Sequence, residues 1–288
     1  MDSIKTFIFL VIVSNAGGEG KTLLARLMKA LWLLQGQPVH LFDGDPGNRA
    51  AKVGDNTAGT LSWGVQAMRA DDIVAATAGQ HVILDLGANT LASAREIVDL
   101  LPALQTGYAA TGYRTVAFMP VSTNKTGAVG AIETLAPNLH GFDKLFVQVN
   151  RDGSGTYDAD LASADVIAVG HLAPGFQTYI RKVAGSFADA VTAPGSGYEL
   201  AGAYIAEWMQ TFAVQAPVRS LVGEIPALTA RKPVPGVLRF GVAQLSDTTN
   251  AALTVNVHNS RILNAISKAG WTAEGLRKVA ASIDAGTL

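Results

Sequence analysis

Short apolar runs recur along the first two-thirds of the chain, at residues 7–13, 39–42, 82–84, 115–121, 145–149 and 166–169, each three to seven positions long and bounded by polar or glycine-containing segments. Apolar stretches of that length, unbroken by alternation, predict strands buried on both faces. Between them the apolar positions recur at helical spacing over 21–35, within 61–77, and over 92–104, 126–136 and 177–190. Strand and helix in alternation call for a mostly parallel, doubly wound sheet with helices on both faces. A longer amphipathic helix over 198–214 closes this unit, taken as residues 1–216.

The pattern changes after that helix. Pro217, Pro226, Pro233 and Pro235 fall within nineteen residues, and this density predicts an extended connector over 217–236. Residues 237–288 then read as a small α+β extension: strands over 237–243 and 253–257 with a turn at 247–250, and helices over 260–269 and 272–281 joined at Gly270-Trp271. A helix pair across a glycine is the outline of a helix-turn-helix and equally of an ordinary packing unit.

Composition narrows the classes. The 288 residues are 49% hydrophobic with a mean hydropathy of +0.25, enough for a large core and too apolar for a disordered chain. No cysteine is present, which excludes disulfides and thiolate metal sites. The run 7–13 is too short to span a bilayer, and residues 279–288 lack the bulky apolar and basic faces of a membrane-surface helix. The expectation is a soluble, cytoplasmic protein with no membrane partner. A net charge of -1 conceals an asymmetry: residues 217–288 hold 8 Lys and Arg against 4 Asp and Glu. That basic tail admits non-specific contact with DNA, and equally a solvated helix surface.

The chemistry concentrates directly after the first run, where residues 15–22 read N-A-G-G-E-G-K-T. Gly17, Gly18 and Gly20 allow the backbone to wrap closely around phosphates, Lys21 brings a cation, and Thr22 offers a hydroxyl to Mg²⁺. With a strand before and a helix after, this is a phosphate-binding loop, and Glu19 and Leu23 belong to its backbone cradle. Two further acidic strand ends complete the pattern. The second strand ends D-G-D-P, giving Asp43 and Asp45; the third ends H-V-I-L-D-L-G, giving Asp85, in the position of a magnesium-holding carboxylate.

The glycine pair before Glu19 resembles the deviant Walker A loop of the ParA/MinD ATPases, which partition plasmids and position division sites and other cargo. The resemblance covers residues 4 to 214. It implies ATP with Mg²⁺, magnesium held by Thr22, Asp45 and Asp85, and Asp45 orienting the attacking water. It also implies Asn150, closing the strand L-F-V-Q-V-N, on the adenine edge, with Pro174 flanking the base. A homodimer in the ATP state and a protein activator or adaptor follow from the same likeness, with plasmid partition or stability as the subclass. The chain departs from the family at its signature lysine, replaced by Ala16; Lys125, in the loop after the fourth strand, is the candidate for the missing charge. Two other readings stay open: a P-loop small-molecule kinase or synthetase, and an ATP-binding regulator with little turnover. The five His residues are dispersed, and the sequence displays no second constellation of His, Arg and carboxylates from which to build a substrate pocket.

Overall fold

The computed structural model describes residues 6–14, 16–45, 51, 57–61, 69–88, 95–123, 125, 130, 135–157, 166–229, 238–239, 242–246, 252–256, 268 and 273–284. Its centre is a seven-stranded sheet of β1 (Ile8–Ile12), β2 (Val39–Gly44), β3 (Gly59–Thr60), β4 (His81–Leu86), β5 (Arg114–Ser122), β6 (Asp143–Val149) and β7 (Ile167–Val169), in the spatial order β3-β2-β4-β1-β5-β6-β7. Every neighbouring pair is parallel. This is a parallel α/β sheet with helices on both faces, as the alternation of runs predicts. Strand β3 was not foreseen: two residues, Gly59-Thr60, carry no hydrophobic run.

The side-chain alternation of the strands divides the core in two. Ile8, Leu10 and Ile12 of β1 join one apolar cluster, while Phe9, Val11 and Val13 join the other, because successive strand residues point to opposite faces. The first cluster is covered by α1 (Lys21–Leu34) and by the chain after β7; the second by α2 (Ala70–Ala76) and α3 (Arg95–Ala110). The run 115–121 is two-sided in the same way, with Val116 and Phe118 on one face and Ala117, Met119 and Val121 on the other. Helix α3 continues past Pro102 to Ala110, beyond the expected end at 104. Most of the expected helix 126–136 lies outside the described residues.

After β7 the expected single helix over 177–190 is three pieces: α4 (Pro174–Tyr179), a π-helical turn (Ile180–Ala184) and α5 (Phe187–Thr192). Gly185, at φ +91°, ends the π turn, and the Ser186 hydroxyl accepts the Asp189 N–H at 3.0 Å to start α5. The sequence S-F-A-D carries that cap. Helix α6 (Glu199–Ala213) follows as expected, and is buried along most of its length.

The connector requires correction. Residues 216–229 are not extended but form α7 (Ala216–Val222) and α8 (Pro226–Thr229), with Val218, Leu221, Val222, Ile225 and Leu228 buried in the first cluster. Pro217 and Pro226 sit in the first turn of their helices, where a missing N–H costs nothing and the fixed φ suits the helix. The proline density therefore starts helices here instead of preventing them. Pro233 and Pro235 lie outside the described residues.

The expected strand over 237–243 divides into β8 (Leu238–Arg239) and β9 (Val242–Ser246), which pair antiparallel, and β10 (Ala252–Asn256) completes a three-stranded sheet. Strand β8 lies against α6, and Val279 of α9 (Ala273–Asp284) joins the first cluster. The turn 247–250 and all but Lys268 of the helix expected over 260–269 lie outside the described residues.

One polar group is built into the bottom of the sheet. The His81 ring stacks on Trp32 at 4.4 Å and 3°, accepts the Ile8 N–H through Nδ1 at 3.1 Å, and so carries its proton on Nε2, facing Gln37 Oε1. It is a satisfied core histidine. Trp32→Ala removes one of the two largest fully buried side chains among the described residues and unroofs that histidine, and is expected to cost about 3–5 kcal/mol in denaturant unfolding.

Candidate functional site

The loop between β1 and α1 lies at the carboxyl edge of the central strand, where the winding of the sheet changes direction and ligands of such folds gather. Gly18 and Gly20 adopt φ +79° and +87°, which L side chains rarely take. A Cβ on Gly20 would also come within 2.9 Å of Val149 Cγ1. Among the described residues α1 has no side-chain cap, and its first turn has no acid, so its positive end is left to an anion.

Lys21 is folded back across the loop, donating from Nζ to Ser14 Oγ at 2.8 Å and to the Ala16 carbonyl at 2.9 Å. Ser14 Oγ donates in turn to the Ala16 carbonyl at 3.0 Å. Burial draws the ammonium below its usual pKa, while Asp85, Glu19 and Asp45 act in the opposite direction. Ser14 is a contact of Lys21 that the motif alone did not reveal.

Thr22 and Asp85 meet directly: the Thr22 hydroxyl donates to Asp85 Oδ2 at 2.7 Å. Asp85 stands beside Asp43 in the β2–β4 register. Burial pushes the Asp85 carboxyl up to about 7; the Thr22 hydrogen bond opposes this, Asp43 adds to it, and Lys21 and Arg26 oppose it. A buried carboxylate beside a second one and a hydroxyl is an oxygen donor set suited to a hard divalent cation. Asp45 lines the same cleft, its N–H donating to Asp43 Oδ1 at 3.0 Å. The cleft, about 480 Å³, is walled by the loop from Gly17 to Leu23, by Asp45 and Asp85, and by Asn150, Arg151, Leu172 and Gln177.

Two expected residues take other roles. The Glu19 carboxylate is only 2% exposed and accepts the Ser122 N–H at 2.7 Å, so it pins the loop to the end of β5 and only its backbone remains for phosphate. Pro174 is the first residue of α4 and does not line the cleft; Leu172 and Gln177 occupy that wall. Asn150 is on the wall, but its Oδ1 accepts the Gly153 and Gly155 N–H groups at 3.0 and 3.2 Å. The two-point pairing of donor and acceptor with an adenine edge is therefore not available in this conformation, and Nδ2 is the part left for a base.

Two cations reach the loop from above. Lys125 Nζ donates to the Gly17 carbonyl at 3.2 Å, so it does approach the loop beside Ala16. Arg151, which the sequence reading passed over as the residue after Asn150, donates from Nη1 to the Gly18 carbonyl at 2.9 Å. Its main chain is fixed on both sides: its N–H donates to Thr123 Oγ1 at 3.1 Å, and its carbonyl is 2.9 Å from His171 Nδ1.

No protein-family model matches the sequence, and comparison with curated proteins gave no match. Solved structures give weak likenesses. The MinC:MinD cell division protein complex of Aquifex aeolicus aligns at 14% identity over 82% of this chain and 100% of that one, with a TM-score of 0.43. The septum site-determining protein MinD of Pyrococcus horikoshii OT3, complexed with Mg-ADP, aligns at 17% over 77% and 100%, with a TM-score of 0.41. The signal recognition particle receptor FtsY of Elizabethkingia anophelis, in complex with GDP, aligns at 13% over 55% of this chain and 52% of that one, so the chain spans about half the receptor's length, with a TM-score of 0.36. No helix among the described residues is long and apolar enough to cross a membrane.

Proposed function

We propose that this chain is a ParA/MinD-type ATPase, a switch that closes as a homodimer around Mg·ATP, engages a protein activator or adaptor, and serves in plasmid partition, stability or cargo positioning. The observation that carries the reading is the posture of Lys21, held over a glycine cradle with Thr22 hydrogen-bonded to Asp85. A triphosphate would take Lys21 from Ser14 and the Ala16 carbonyl, and the loop N–H groups would receive its oxygens. Thr22, Asp85 and Asp45 would hold Mg²⁺ directly or through water, and the ion supplies charge neutralisation on the phosphates when bound.

Asp45, whose N–H donates to Asp43 Oδ1, would accept a hydrogen bond from the attacking water. Lys125 and Arg151 place two positive charges on the outer rim of the loop, next to the position where the family has its lysine and this chain has Ala16. Cations on that rim are used mainly when a second subunit closes over the phosphates.

The test compares oligomeric state by light scattering in Mg·ATP and Mg·ADP, together with phosphate release. The expected result is a dimer in ATP only and a slow basal turnover. Lys125→Ala should weaken dimerisation or turnover while ATP affinity measured by calorimetry barely changes. A monomer in every nucleotide state would overturn the switch, and parent-like behaviour of Lys125→Ala would make that lysine a solvated loop residue.

A further inference from the structure

A larger cavity, about 820 Å³, lies beyond the nucleotide cleft, between the outer face of α1 and the chain from α4 to α5. It shares only Thr22, Leu23 and Gln177 with the smaller cleft. Its size is that of a small-molecule site. One wall is a single face of α1, where Arg26, Lys29, Ala30 and Leu33 fall at helical spacing; the opposite wall brings Ile180, Arg181, Phe187 and Asp189. The lining is therefore mixed. Apolar side chains form the body, Leu33 at the mouth is 43% exposed, and the charged groups among the described lining residues are Arg26, Lys29 and Arg181 against Asp189 alone.

The local backbone is arranged to present that wall. Ile180 and Arg181 open the π turn, which closes with Gly185 N–H donating to the Ile180 carbonyl at 2.7 Å. Such turns insert one extra residue into a helix and recur at functional sites. Gly185 then reverses the chain at φ +91°, and the one acid is already engaged, with Asp189 Oδ2 accepting the Ser186 hydroxyl at 2.6 Å. Lys29 Nζ donates to Thr57 Oγ1 on the same lining at 2.7 Å, and with three cations to one carboxylate the described lining keeps a positive balance.

We propose that this cavity is a second ligand site, selective for a small organic anion with an apolar body. The apolar walls take the body and the cations from α1 and the π turn take the anionic head. The proposal is independent of the nucleotide reading, and it supplies the second polar constellation that the sequence does not display, because its two walls are about 150 positions apart in the chain.

The test uses two fluorescent probes on the full chain at low salt: 8-anilinonaphthalene-1-sulfonate, and the neutral N-phenyl-1-naphthylamine, which has the same apolar body and no sulfonate. The anionic probe should bind saturably and at least about tenfold tighter than the neutral one, the worth of one partly desolvated charge contact. Arg181→Glu should erase that preference, and Ala30→Trp should fill the cavity and displace both probes. If Ala30→Trp does not fold, the exposed Arg181 position decides alone. Equal binding of the two probes by the parent, or an unchanged preference in Arg181→Glu, overturns the proposal. The same titration in Lys21→Ala separates it from the nucleotide reading: undiminished probe binding there supports a distinct site, and displacement of the probe by ATP in that variant makes the cavity part of the nucleotide cleft and overturns it.

Discussion

Lys21→Ala should lose Mg·ATP binding by about a hundredfold or more in calorimetry, the cost of removing the charged partner from a partly buried phosphate contact. The loss should be confined to the ligand. When the side chain is cut back, Ser14 Oγ still donates to the Ala16 carbonyl, and Glu19 still anchors the loop to Ser122, so the cradle stays tied. Unfolding monitored by circular dichroism should show a folded protein with a transition as cooperative as the parent's. Equal ATP affinity in variant and parent would remove the phosphate-loop reading, and with it the proposed function.

Asp45→Ala should separate binding from turnover. Mg·ATP should remain bound, because the cradle, Lys21 and two of the three magnesium-holding groups, Thr22 and Asp85, are kept, while phosphate release should fall by about a hundredfold or more, as when a group that positions water or accepts its proton is lost. The variant should accumulate in its ATP form. Asp43→Asn provides the control: it keeps an acceptor for the Asp45 N–H and should lose much less. If Asp45→Ala turns over like the parent and Asp43→Ala does not turn over at all, the water-orienting role belongs to Asp43.

The parallel sheet and the phosphate loop were legible because each is written locally. A run buried on both faces has to be continuous, and a loop that wraps phosphate has to carry glycines followed by Lys21 and Thr22. Asp85 was legible from position alone, as an acid that stops an apolar strand. What local sequence does not encode is reach. Arg151 contacts Gly18 across 133 positions and Glu19 contacts Ser122 across 103, and in both cases the identity of the side chain says nothing about the partner. Asn150 shows a different limit: the sequence identified a residue on the cleft wall, but the glycines at 153 and 155 compete for its carbonyl oxygen. The prolines at 217 and 226 were read by their average effect when the deciding factor was their place in the first helical turn.

The helices that replace the expected connector change where the protein can be cut. Gln35, just past the end of α1, donates to the Val222 and Glu224 carbonyls, the latter at 2.8 Å, and Trp32 Nε1 lies 3.5 Å from the Leu221 carbonyl. The far end of the P-loop helix is thus braced by chain that lies beyond residue 216. A fragment ending there would strip Val218, Leu221, Val222 and Leu228 from the core they cover and expose the stack of Trp32 on His81. Proteolysis of the native chain should spare this stretch, and a fragment for binding studies has to extend at least through Thr229.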